Sequence, residues 1–219
     1  MGSARESARG HAAGRGGLPG AVHRDPRRGH ARRVDRSARP GDLFGNAFGS
    51  PGGRGGGDGV IFGIDPGNSG ALVALGARGE VIDVLPMPTV RVGTNHRVNG
   101  AAVAAWLRSH HEPGTSHAFL ELVASQPGQG TRSMFTFGHA AGLVEGLLQG
   151  LGIPYTLLQP GIWKKTARLL GTDKDAARSR AIQLYPDLRV LDLKAKGQAV
   201  ADALLIARAG LTLEHKQCD

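Results

Sequence analysis

Three acidic side chains stand where hydropathy alone would not put them. Asp65 ends an apolar run that begins at Val60, and Pro66-Gly67-Asn68-Ser69-Gly70 follows it, so it sits where a strand gives way to a tight turn. Glu121 follows His117-Ala118-Phe119-Leu120, and an acid among such neighbours is costly to bury unless it is paired or bound to a cation. Asp202 lies within Ala199-Val200-Ala201-Asp202-Ala203-Leu204-Leu205-Ile206-Ala207, which has no polar stripe to account for it. Three such carboxylates have the composition of a hard-cation site, for Mg2+ or Mn2+. Each also has a plainer explanation. Asp-Pro-Gly is good turn chemistry, Glu121 can be a solvated strand end, and Asp202 can pair with Arg208 or Lys196.

The elements that must position these acids follow from the apolar pattern. Strands are expected at 60–65, 71–75 and 81–85, with a hairpin turn over 76–79 between the last two. Asn99 can cap a helix over 101–111 that carries Val103, Trp106 and Leu107 on one face. A strand over 117–122, a long helix over 132–151 ending at Gly152, and a strand over 153–158 come next. A short helix around Trp163, an amphipathic helix over 173–184 and a last helix over 198–209, stopped by Gly210, complete the chain. Three hairpin-connected strands followed by alternating helices and strands imply an α/β fold: a mixed five-stranded sheet flanked by helices.

Composition narrows the chemistry. The only cysteine among 219 residues is Cys218, which excludes a disulfide framework and a cysteine-based zinc site within one chain. No apolar run approaches the roughly 18 residues that span a bilayer, so no membrane partner is expected. The formal net charge is +9, but residues 1–58 hold 11 Arg, no Lys and 5 acids, so most of the excess lies there. Residues 1–59 also contain 16 Gly and few large apolar side chains, and are read as a disordered Arg/Gly-rich extension able to bind phosphate backbones without sequence preference. The extension has no secretory apolar stretch. Its Arg-rich, acid-poor composition partly fits an organelle transit peptide, the alternative to a bacterial cytoplasmic or nucleoid location, although it has only four Ser. The domain itself is expected over 60–212, with 213–219 a flexible C-terminal tail.

An ordered series of motifs then resembles a known family. Gly63-Ile64-Asp65-Pro66-Gly67-Asn68-Ser69-Gly70-Ala71 looks like the first motif of RuvC-like Holliday-junction resolvases of the ribonuclease-H-like superfamily. Pro127-Gly128-Gln129-Gly130, Ser133-Met134-Phe135-Thr136-Phe137-Gly138, Trp163-Lys164-Lys165 and Asp173-Lys174-Asp175-Ala176-Ala177-Arg178 resemble the branch found in phages, bacteria and plastids. Ala201-Asp202-Ala203-Leu204-Leu205-Ile206-Ala207 is similar to its closing helix. The resemblance runs from about residue 60 to 210.

It implies a ribonuclease-H-like fold in which Asp65, Glu121 and Asp202 are catalytic metal ligands for two Mg2+ ions, or Mn2+. One ion would prepare a water for in-line attack on a phosphodiester and the other would stabilise the leaving 3′ oxygen. The family's fourth ligand usually lies one helical turn before the last acid, where this chain has Gln198 or Ala199. A Gln amide can serve only as a neutral ligand. A second reading is therefore a catalytically weak branched-DNA-binding protein on the same fold. Relatives also often carry a basic or polar residue after the second acid, where this chain has Leu122.

The implied substrate is branched DNA, chiefly four-way junctions, and grip must come from phosphate contacts. Lys164, Lys165, Arg168, Lys174, Arg178 and Arg180 can line such a channel or form an ordinary solvated helix face. Gly128, Gln129 and Gly130, with Arg132 and Ser133, form a loop beside Glu121 whose backbone amides can approach a phosphate. Phe135 and Phe137 can stack at a junction or pack as core. Relatives act as homodimers. The helix over 132–151, with Phe137, Ala141, Val144, Leu147, Leu148 and Leu151, is the natural interface or simply core. An actin-like or sugar-kinase ATPase can share Gly-Ile-Asp-x-Gly, but needs two such domains.

Overall fold

The structure, a computed structural model, describes residues 59–217 except 123, 125–127, 129 and 174. The expectations for the N-terminal extension up to Asp58, for Gln129 and for Lys174 thus lie outside the described residues. Five strands form one sheet: β1 (Val60–Asp65), β2 (Ala71–Gly76), β3 (Val81–Pro86), β6 (His117–Glu121) and β7 (Tyr155–Leu158), in the order β3-β2-β1-β6-β7. The first three pair antiparallel, whereas β6 runs parallel to β1 and β7 parallel to β6. This is the mixed five-stranded sheet flanked by helices that the sequence implies.

Side-chain alternation along the strands makes the fold two-sided. Ile61, Ala71, Val73, Leu75 and Phe119 enter one core, and Val60, Phe62, Ile64, Leu72, Ala118 and Leu120 enter the other. The first face is covered by α3 (Pro160–Thr166), α4 (Ala176–Leu184) and α5 (Lys194–Gln217), with a 3-10 turn over Arg189–Asp192. The second is covered by α1 (Gly100–His110) and α2 (Thr131–Leu151). Capping residues end the helices as their chemistry dictates. The Asn99 side chain accepts a hydrogen bond from the Ala102 amide at 3.2 Å, and Gly152 closes α2 in the left-handed conformation with φ 68°.

Three features depart from expectation. First, α5 does not stop at Gly210. It runs to Gln217, so residues 213–217 are helix rather than tail, and Leu213 packs on the core. Gly210 is there because the Phe119 ring occupies the space a Cβ would need. Second, α4 begins at Ala176 rather than 173. Third, β4 (Thr89–Val92) and β5 (Asn95–Val98) form a separate two-stranded hairpin with only Val98 buried. Its turn residue Gly93 has φ 61°. Four-residue strands with one buried side chain leave little hydrophobic signal to read.

Candidate active site

Asp65 and Glu121 are the last residues of adjacent parallel strands. Ile64 pairs with Leu120 one step earlier, so the two acids end neighbouring strands roughly 4.8 Å apart in the sheet. Both have the parity of Gly63 and Phe119, so they project to the face that α5 covers. Gly63 lets α5 approach β1 closely, because a side chain there would meet the backbone at Ala203 and Ala207. Immediately before that contact, α5 brings Asp202 to the same sheet end, within charge reach of Asp65 and Glu121. Ligands of open α/β sheets bind in this position, outside the carboxyl ends of the strands.

Each carboxylate has a defined partner. Asp65 Oδ1 accepts from the Gly67 amide at 3.2 Å, so its turn role and its place at the site coexist. Glu121 Oε1 accepts from Trp163 Nε1 at 2.9 Å. Asp202 Oδ1 accepts from Gln198 Nε2 at 3.1 Å, and not from Arg208, which donates to the Tyr185 hydroxyl. Burial pushes all three carboxyls above their usual range, Asp202 to about 7. The Trp163 and Gln198 donors oppose this at Glu121 and Asp202. Mutual repulsion adds to it: Asp65 raises both others and Glu121 raises Asp202, while Lys164 lowers both Glu121 and Asp202.

Among the described residues, Gln198 Oε1 is buried without a hydrogen-bond partner. Among the described residues, no group of three His, Cys, Asp or Glu side chains is placed to hold a metal ion. By chemistry, Asp65, Glu121, Asp202 and Gln198 Oε1 are hard oxygen donors of the kind a hydrated divalent ion takes. Two clefts of about 510 and 440 Å³, beside Arg168 and beside the β3 edge, contain none of the three acids.

The residues expected to face DNA divide. Lys164 and Lys165 are exposed on α3, and the Lys164 ammonium lies 5.3 Å from the centre of the Trp163 ring. Gly128 is exposed with φ 81°. Arg132 and Ser133 are exposed at the start of α2, and Phe135 is 69% exposed beside His139. Arg178 departs from the exposed row: it is half-buried and turned toward the Leu191 carbonyl, because α4 packs that side against the 3-10 turn. Arg168 and Arg180 share their cleft with Asp173 and Asp175, which offset their charge.

Sequence reasoning missed the β4–β5 hairpin as a neighbour of the site. Asn68, in the turn after Asp65, donates to the His96 carbonyl at 2.9 Å, and Arg132 donates to Asn95. The hairpin also carries Arg91 and Arg97 exposed. The Gly-Thr turn between alternating residues was its available signal.

Compared with known proteins, the chain matches no family model and no curated protein. Among solved structures, it is similar to Thermus thermophilus RuvC in complex with Holliday junction substrate, at 18% identity over 71% of this chain and 96% of that one, with a TM-score of 0.48. It is likewise similar to a Thermus thermophilus RuvC structure at 18% identity over 72% of this chain and 96% of that one, with a TM-score of 0.43.

Proposed function

We propose that this protein is a Mg2+-dependent endonuclease that resolves four-way DNA junctions by phosphodiester hydrolysis. The observation that carries the reading is the meeting of Asp65, Glu121 and Asp202, from three separate elements, at the carboxyl end of the parallel strands with their pKa values raised. The ordered motif series supplies the substrate class. A bound divalent ion lowers the pKa of its water and neutralises charge building on the phosphate. The chain's own part is to hold negative charge at fixed points. The Gly67 amide fixes Asp65, and the Gln198 amide fixes Asp202. Lys164, exposed beside the acids, attracts the phosphate, and the exposed arginines of the hairpin extend the positive surface. Symmetric nicking of a mobile four-way junction by the purified full chain with Mg2+ tests the reading, and intact junctions at every Mg2+ concentration refute it.

The neutral amide at Gln198 favours a second reading, a branched-DNA-binding protein of weak activity. Gln198→Asp separates the two. It adds charge to the cation site but removes the donor to Asp202 and creates a like-charge pair one helical turn apart. The metal-free variant should therefore melt lower than the native chain, and Mg2+ should restore it. The Mg2+ concentration for half-maximal cleavage should fall by about threefold to tenfold, because ligand charge tunes affinity. No change in metal dependence would place Gln198 outside the site.

A homodimer belongs to the same proposal, but through a different face of α2 from the one expected. Val144 and Leu148 are buried, and Leu147 and Leu151 pack on the sheet core. The outward face instead carries Gly138, Gly142, Gly146 and Gly150, with no neighbouring atom within 4 Å of a Cβ placed on any of them. Each helical Gly costs about 1 kcal/mol relative to Ala, which a close helix–helix approach offsets. Gly142→Leu should convert the dimer to monomer in analytical ultracentrifugation with little change in monomer folding. If the native chain sediments as a monomer and Gly142→Ala merely stabilises it, the face is solvent.

A further inference from the structure

Trp163 is 2% exposed, yet it carries a polar N–H that burial makes expensive unless it finds a partner. Its partner is Glu121 Oε1, at 2.9 Å. The chain path explains the meeting. Glu121 pairs across the sheet with Leu158, the last residue of β7, and α3 starts two residues later at Pro160. Trp163 thus comes from the element that leaves the sheet directly beside Glu121. Its ring packs in the same core as Leu158, Ala177 and Ala199 and cannot swing away. On its other side the ring lies under the Lys164 ammonium. One turn of α3 therefore presents a fixed donor to the acid and a cation to the solvent.

We infer that Trp163 is a positioning residue of this site: its indole N–H pins Glu121 Oε1, leaving Oε2 to face the divalent ion, and its ring steadies Lys164 where a phosphate arrives. The inference rests on the proposed nuclease reading and adds to it a role for a side chain that touches neither substrate nor metal. A donor that orients a ligating carboxylate sets affinity as well as geometry, and loss of such a partner typically costs about 10–100-fold in metal affinity or activity. The indole–carboxylate bond is charge-assisted and so among the stronger of its kind. A residue serving only as core filler would have the same burial and packing, but its N–H would not matter.

The test keeps the packing and removes the N–H. Benzothienylalanine at position 163 replaces the indole N–H with sulfur at nearly constant shape, and Trp163→Phe is the ordinary counterpart. The probe is Mn2+ alone, titrated into the full chain and followed by calorimetry and by electron paramagnetic resonance. Expected is Mn2+ affinity at least about tenfold weaker in the benzothienyl variant, with metal-free junction affinity unchanged and the melting temperature lowered only by the loss of one buried donor. In cleavage, that variant should lose kcat, whereas Lys164→Gln should chiefly raise KM. Native Mn2+ affinity in the benzothienyl variant overturns the inference. If the native chain cuts junctions but Glu121→Gln leaves Mn2+ binding untouched, the inference falls while the nuclease reading stands. If the native chain neither binds Mn2+ nor cuts junctions, the nuclease reading fails and this role fails with it.

Discussion

Replacing Asp202 with Asn will stop junction cleavage and, at pH 8, raise the melting temperature of the metal-free protein. Both effects follow from one carboxylate held at about 7 by burial, with its neighbours Asp65 and Glu121 adding to the rise. Below its ordinary value of 3.8, Asp202 is protonated in folded and unfolded chains alike. Between there and about 7, the unfolded chain gives up the proton and the folded one keeps it, so the folded state binds more protons and stability falls as pH rises. Above that window the loss is complete. The amide introduced by Asp202→Asn would carry no charge to desolvate and still offers an oxygen to Gln198 Nε2, so the gain should be present at pH 8 and absent near pH 4. Divalent cations should give the native chain a similar gain by screening the three acids. Cleavage should fall by at least about a hundredfold, beyond what loss of a supporting partner costs. Asp65→Asn and Glu121→Gln should match that loss. Junction affinity should hold, since phosphate contacts elsewhere carry it. Calorimetry at two pH values, run beside a gel cleavage assay, reads all of this. Full cleavage by any one variant removes that residue from the catalytic set.

Gly63→Ala, the addition of one methyl group, should lower the melting temperature by several degrees, up to about 12 °C. The new Cβ would fall on the Ala203 carbonyl and the Ala207 amide, the two ends of a single hydrogen bond inside α5. Neither backbone can rotate aside, so the helix must move off the sheet. Overpacking of a core costs about 1–3 kcal/mol, occasionally more, and about 2–4 °C accompanies each kcal/mol in a chain of this size. The same shift would carry Asp202 away from Asp65 and Glu121, so cleavage should drop further than stability alone predicts. A variant melting within about 2 °C of the native protein would show that α5 has room to spare. Gly161→Ala is the control, because its Cβ meets nothing within 4 Å.

How far the fold was legible in the sequence can be judged element by element. Unbroken apolar runs over 60–65 and 71–75 gave β1 and β2 within a residue, because both faces of those strands are buried. Asn99 and Gly152 marked helix ends through local chemistry that needs no tertiary partner. Gly210 misled for the same reason in reverse. A glycine after an apolar helix reads as a stop, but here it answers the Phe119 ring from β6, far away in sequence, and α5 runs on to Gln217. The hairpin was missed because its strands bury one side chain between them.

For the site, the sequence by itself determined which acids are anomalous. The cost of an unpaired carboxylate among apolar neighbours can be read from composition, and it singled out Asp65, Glu121 and Asp202. It also determined that Gln198 brings no charge to its position. Only the tertiary structure decided that the three acids share one sheet end, since their meeting depends on the parallel register of β1 with β6 and on a missing Cβ at Gly63. It also decided which basic residues remain exposed: Lys164 stays at the solvent beside the acids while Arg178 is turned inward. Residue type sets what a side chain can do. Long-range packing sets what it faces, and the Trp163 N–H meets Glu121 only because β6 and β7 lie side by side.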